Sequence, residues 1–321
     1  MFMELKPPHN LFVDKIFKII IITSAFYILI LIVYLIIKLF LESGPIWQEI
    51  GFSFIINSDW NTIEGRESFG ALPYILGTIV TSIIAMIIAV PLSIGIAMFA
   101  SYMPKESHII LNFIIDLLAS IPSIIYGLWG LIVFRPIFVK WFEIPINSTL
   151  GEHMWLFSGI PLGLDIITAS IVLAIMIIPT IASVSREIMK SVPLQQQEAA
   201  FMLGATKWEI FKFAIFPYAK AGLVGASILG LGRAVGETMA ITMLIGNATG
   251  VFALPKSLFQ AGQTMSSILA NEFIEASPLS LHISALIGIG LILLLFAICI
   301  NIIAHVLVVR MLKVREGLIN I

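Results

Sequence analysis

Hydrophobic residues in this chain fall in long continuous blocks and do not alternate with polar ones. Six blocks are long enough to cross, as helices, a hydrocarbon core about 30 Å thick. They run from Phe17 to Phe40, Leu72 to Ala100, Ile109 to Phe134, Leu164 to Val184, Gly222 to Ile245 and Ser284 to Val309. Continuous blocks do not suit strands, and an open sheet leaves backbone groups unpaired in lipid. The pattern predicts an all-α integral membrane protein with a six-helix bundle. Residues 1–70 form the N-terminal segment, first helix and an outer loop, residues 71–310 the core, and residues 311–321 a tail. Pro91 and Pro122 lie inside blocks and predict kinks or locally broken helix.

Composition narrows the class further. Hydrophobic residues make up 59% and charged residues 12% of the chain, and mean hydropathy is +1.06. A soluble surface needs about twice that share of charge. The formal net charge of −1 gives no reason to expect a nucleic acid partner; the expected surroundings are membrane lipid. Cys299 is the single cysteine, which excludes an internal disulfide framework and a four-cysteine metal site. The first apolar block is too long for a signal-peptide h-region and lacks a small-residue cleavage site, so a retained helix is expected.

Lysine and arginine placement gives an orientation. With both termini inside, the inner segments hold Lys6, Lys15, Lys18, Lys105, Arg186, Lys190, Lys207, Lys212, Lys220, Arg310, Lys313 and Arg315. The outer side holds Lys38, Arg66, Arg135, Lys140 and Lys256. Twelve against five predicts two cytoplasmic termini. The largest inner loop, about Ser185 to Lys220, reads as two short helices. One starts near Ser191 and Pro193 and stops at Gly204. The next begins with the capping box Thr206 to Glu209, carries Trp208, Phe211 and Ile215 as an apolar stripe, and ends at Pro217. Such an object either lies on the headgroups or docks another protein.

Charges within the blocks need a reason, since each costs about 2.5–3.5 kcal/mol even on lenient insertion scales. Lys18, Lys38 and Arg310 sit at block ends and can snorkel. Asp116 lies in the third block, where it caps a neighbouring helix, pairs with a cation, or serves the function. Arg233 and Glu237 lie near the centre of the fifth block, four residues apart on one predicted helix face. They either neutralise each other or line a substrate path. The order, cation before anion, is the weaker one for an i,i+4 pair, and a span could omit both. Gly222, Gly225, Gly230, Gly232 and Gly236 let another backbone approach, and Thr238 and Thr242 add hydroxyls. An arginine among them suits an oxyanion.

Several chemistries are absent from the sequence. No G-x-x-x-x-G-K-[ST] stretch is present to cradle ATP, and no strand precedes the glycines around Arg233 to make a dinucleotide fingerprint. There is no H-E-x-x-H, and His9, His108, His153, His282 and His305 lack metal-ligand spacing. Nothing marks the chain as an enzyme, and no cofactor of its own is expected.

The stretch EAAFMLGATKWEIFKFAIFP, from Glu198 to Pro217, resembles the EAA loop of type I ABC importer permeases. Glu198, Ala199, Ala200, Gly204 and Pro217 fall on that pattern, while Ala214 and Phe216 replace its usual isoleucine and leucine. FGALPYILGTIVTS from Phe69, IPSIIYGLWGLIVF from Ile121 and GLGRAVGETMAITMLIGN from Gly230 resemble the PstC-type permeases of phosphate-specific transport. The resemblance implies that residues 191–217 dock on an ATPase subunit, and that Arg233, Glu237 and Thr238 lie on the phosphate path. It also implies three partners: a second homologous permease (PstA-like), an ATPase dimer holding ATP and Mg, and an extracytoplasmic phosphate-binding protein. Read from the residues alone, sulfate, molybdate or phosphonate remain open, as does a secondary transporter without ATP.

Overall fold

The computed structural model describes residues 11–63, 65–102, 105–277 and 280–319, with no side-chain description at 11–12, 102–108 and 312–319. Expectations about Lys6 and His9, and about the side chains of Lys105, His108, Lys313 and Arg315, lie outside the described residues.

Six helices among the described residues are long and apolar enough to cross a bilayer. We label α1 Leu11–Glu42, α2 Leu72–Tyr102, α3 Lys105–Ser120, α4 Ser123–Leu150, α5 Ile166–Lys190, α6 Leu194–Met202, α7 Lys207–Gly236, α8 Met239–Leu244, α9 Met265–Glu272 and α10 Leu281–Ile319. The spans are α1, α2, α4, α5, α7 and α10. The only strands among the described residues are β1 Trp60–Asn61 and β2 Ser68–Phe69, an antiparallel pair outside the spans.

Two spans differ from their sequence blocks. The third is α4, which starts inside the block Ile109–Phe134 and runs past its end to Leu150. α3 stops at Ser120, and Pro122, extended at ψ 140°, starts a new helix. The residue before a proline disfavours helical backbone, so the break falls there. Arg135 and Lys140 therefore belong to a span and not to an outer loop. The fifth span begins at Lys207, inside the predicted inner loop, and runs through Pro217 without ending there.

The continuation has a local cause. Three wide π turns, 130–134, 139–143 and 211–215, each end two residues before a proline: Pro136, Pro145 and Pro217. A proline ring clashes with the carbonyl of the preceding turn and offers no N–H; a wider turn in front of it relieves both demands. Pro91 likewise remains inside α2, so it bends no break into that span.

α5 is the central pillar. Val172, Met176, Ile177 and Ile181 on it pack with Ala85 and Ala89 of α2, Ala226 and Ala234 of α7, and Ile241 and Leu244 of α8. Small residues set these distances: a methyl at Gly230 would sit 2.4 Å from Ile181 Cδ1, and one at Gly222 2.6 Å from Ile188 Cγ2. Overpacking of this kind costs about 1–3 kcal/mol. A second cluster closes the end where α2 begins, with Phe54, Phe69, Tyr74, Met265, Ile268 and Leu286. A third, with Ala97, Met189, Ile210, Phe211, Ile215 and Leu223, closes the end that carries α6.

Candidate functional site

The fifth sequence block is not one helix. α7 stops at Gly236, the backbone is extended at Glu237 (φ −70°, ψ 127°), and α8 resumes after Thr238. Gly232 and Gly236 favour a stop here, because each glycine costs a helix about 1 kcal/mol relative to alanine. Arg233 lies in the last turn of α7, where a cation suits the negative end of the helix dipole.

Arg233 Nη1 donates to Thr180 Oγ1 of α5 at 2.6 Å. Glu237 Oε1 accepts from the Ala240 N–H at 3.2 Å, and its backbone carbonyl accepts from the Ser266 hydroxyl at 2.7 Å. The extended backbone swings Glu237 off the helical i,i+4 row, so no ion pair joins it to Arg233. Mutual neutralisation therefore does not describe these residues. Glu237 is buried at 9% exposure and caps α8. Thr238 places its hydroxyl 3.4 Å from Gly236 O, while its own carbonyl accepts the Thr242 N–H at 2.9 Å and hydroxyl at 2.7 Å.

The face beside Arg233 is uncovered. A methyl at Gly232 or Gly236 would meet no atom within 4 Å, and Leu229 and Met239 are exposed next to them. The glycines thus divide into two groups: Gly222 and Gly230 admit α5, whereas Gly232 and Gly236 face open space. One of the five guanidinium donors is engaged by Thr180, and the remaining planar fork suits the oxygens of an oxyanion.

The loop between α5 and α7 forms the second candidate region. α6 ends at Gly204 with φ +80°; Gly204 N bonds Phe201 O at 2.9 Å and Ala205 N bonds Ala200 O at 3.2 Å. This is the Schellman stop that a glycine in left-handed backbone supplies. Thr206 and Glu209 make the expected reciprocal capping box. The stripe is altered: Ile210, Phe211 and Ile215 are buried, while Trp208 is exposed and stacks on Phe211 at 5.7 Å. Glu198, Ala199, Phe201, Met202, Leu203, Gly204 and Pro217 are exposed. Leu194, Gln197, Glu198, Phe201, Met202 and Ile210 line a hollow of about 310 Å³ there.

One charged arrangement escaped the sequence reading. Glu143, 0% exposed, accepts from the Gly163 N–H at 3.0 Å and the Thr168 hydroxyl at 2.8 Å. Asp165 caps α5 through the Thr168 N–H at 2.9 Å and leaves Oδ2 buried without a bond. Burial, then the neighbouring Glu143, push the Asp165 carboxyl up to about 7. Asp116 sits on α3 and not in a span, 3.9 Å from Arg186, which is the pairing with a cation among the alternatives given for it. No three histidine, cysteine or acidic side chains gather into a metal-binding group among the described residues.

Comparison with known proteins places this architecture. Residues 89–313 match the binding-protein-dependent transport system inner membrane component family. The phosphate transport system permease protein PstC of Pasteurella multocida is 44% identical over 303 residues, covering 91% of this chain and 90% of that protein. The PstC protein of Haemophilus influenzae is 41% identical over 307 residues, covering 94% and 95%. Among solved structures, an inward facing conformation of the MetNI methionine ABC transporter matches with TM-score 0.51 at 17% identity, covering 75% of this chain and 94% of that one. That likeness concerns the fold alone. The chain is a non-catalytic, multi-pass inner membrane component of a transporter that works with an ATPase and a binding protein, and it belongs to the family of binding-protein-dependent transport system inner membrane components.

Proposed function

We propose that this chain is one of two homologous membrane subunits of an ATP-driven importer that carries inorganic phosphate across the cytoplasmic membrane. The carrying observation is Arg233, a fixed cation anchored by one bond to Thr180 at a break in the fifth span, beside an uncovered glycine face. A charge inside a membrane protein is retained where it faces a cavity or a partner, and a guanidinium fork fits phosphate oxygens. The names of the PstC relatives supply phosphate as the substrate.

In this reading Arg233 gives the anion a passing contact. Thr238 lies on the same path, and Glu237 fixes the break by capping α8. Residues 191–217, with Glu198, Ala199, Ala200, Gly204 and Pro217, dock an ATPase dimer that holds ATP and Mg. An extracytoplasmic phosphate-binding protein delivers the anion to the opposite end. Both termini are cytoplasmic, residues 71–310 form the permease core, and residues 1–70 and 311–321 flank it.

The test is uptake of labelled phosphate by the reconstituted complex, competed with sulfate, molybdate and phosphonate. The proposal expects ATP-dependent uptake that only unlabelled phosphate competes away. Competition by another oxyanion overturns the substrate assignment. Uptake without ATP overturns the class.

A further inference from the structure

Arg186 of α5 is 6% exposed and lies one turn before the coupling loop begins. Its guanidinium has three acceptors: Nη1 donates to Asn112 Oδ1, Nη2 lies 3.9 Å from Asp116 Oδ1, and Nε donates to Glu187 Oε1 at 3.1 Å. Two of these belong to α3 and one to α5 itself. Lys190 also reaches Glu187, at 3.4 Å.

α3 lies along α5 with most of its described surface uncovered. Of its described side chains only Ile115 is buried, while Ile109, Ile110, Phe113 and Leu117 are exposed. Its other end is tied to α4, where the Tyr126 hydroxyl donates to Leu118 O at 2.9 Å. One residue on, a methyl at Gly127 would lie 3.0 Å from Ala240 Cα and 3.5 Å from Met239 O, so α4 rests directly on the start of α8. A continuous line of contacts therefore joins the coupling loop to the break that carries Arg233.

Resting on the function proposed above, we propose that Arg186 is a positioning residue that joins α5 to α3, so that movement of the ATPase-docking loop reaches α4 and the Arg233 break. The fork geometry matters here: a planar guanidinium engages acceptors on two helices at once, which neither lysine nor glutamine reproduces. The contact is tested through the coupling energy it carries.

The experiment uses the whole complex in proteoliposomes and reads phosphate transported per ATP hydrolysed, a ratio that a mere loss of assembled protein does not move. Arg186→Gln is expected to lower the ratio about tenfold, within the usual range of coupling free energies, with the basal ATPase rate retained. Asn112→Ala lowers it by about half that factor on the same scale. Residues acting through one contact are not additive, so the double variant falls no lower than Arg186→Gln, and Arg186→Lys lies between. If Arg186→Gln does not assemble, Asn112→Ala and Asn112→Ala/Asp116→Ala decide, since both positions are partly or fully exposed. Unchanged ratios, or losses that multiply, overturn the inference. Should the wild-type complex carry another oxyanion, the ratio is read with that anion, so the two proposals fail separately.

Discussion

At the end opposite α6, the chain between α8 and α10 folds back into the bundle. Gln263 O passes where a methyl on Gly77 would be, 2.0 Å away, and the Met265 N–H bonds Thr78 Oγ1 at 2.9 Å. Gln263, Thr264, Ser266 and Ser267 are all buried there. Trp60 and His282 both bond Glu272 Oε2 at 2.9 Å, and His282 stacks on Phe69. At the end that carries α6 the surface is bare: Leu194, Phe201, Met202 and Leu203 are 70–89% exposed. The first end tucks its polar segment into the chain, while Phe52, Phe252 and Ile274 beside it stay exposed; the second gathers its exposed apolar side chains along one short helix and its stop. Apolar surface of that kind marks an interaction site, and its local order comes from a glycine stop and a capping box. The region between the two ends combines both plans, since Gly230 is filled by Ile181 while Gly232 and Gly236 are open.

Predictions follow that contrast. The largest effect belongs to the open middle: Arg233→Gln should cut phosphate uptake about a hundredfold or more, the scale for losing one preorganised donor. The assembled complex, followed by co-purification of the ATPase, stays intact because only the Thr180 bond is lost. Normal uptake would remove Arg233 from the path.

The bare end comes next. Gly204→Val places a β-branched residue at φ +80° with no atom nearby to clash, so its cost, about 1–2 kcal/mol, is purely that of left-handed backbone. Transport per ATP is expected to fall about fivefold, at the low end of coupling energies. Gly204→Asn, which tolerates that backbone, stays near wild type. Equal behaviour of the two variants would remove backbone geometry as the cause.

The closed end answers in stability. Gly77→Ala meets Gln263 O and should destabilise the complex by about 1–3 kcal/mol in thermal unfolding. Gly232→Ala, in open space, leaves the melting temperature unchanged and acts on uptake alone. The reverse ranking would mean that the packed and open glycines are misassigned.

The smallest effect concerns Asp165. Its folded pKa, about 7, lies above the ordinary value of 3.8, so the folded state holds its proton longer than the unfolded state. Stability is therefore fully present below about pH 4 and is lost as pH rises towards 7. Asp165→Asn keeps a carbonyl oxygen for the Thr168 N–H and brings an amide donor for the Glu143 carboxylate. It should melt with wild type at pH 5 and a few degrees higher at pH 8, about the shift expected for 1–2 kcal/mol. Loss of melting temperature at both pH values would contradict a raised Asp165 pKa as the source of the pH dependence.

The six spans were legible because lipid demands long apolar runs, and the short helices between α5 and α7 were legible because their stop and cap are local signals. Span limits failed where proline chemistry intervened. Pro122 divides a run that hydropathy joins, whereas Pro217 ends nothing because a π turn precedes it. Arg233 could be singled out by its cost in lipid, but its partner could not, since Thr180 is 53 residues away. The same holds for Arg186 with Asn112, 74 residues apart. Glu143 was missed for a different reason: with the third run ended at Phe134, it fell in a supposed loop. An acidic residue within a run extended to Leu150 would have flagged it.

The most direct measurement is thiol labelling at Gly236, a position open in this chain and one turn from Arg233. In a Cys299→Ala background, Gly236→Cys should react with a small, membrane-impermeant anionic thiol reagent while the complex turns over, and phosphate should slow that reaction where sulfate does not. A thiol that stays unlabelled, or is labelled at one rate with and without phosphate, would contradict a water-filled anion path beside Arg233.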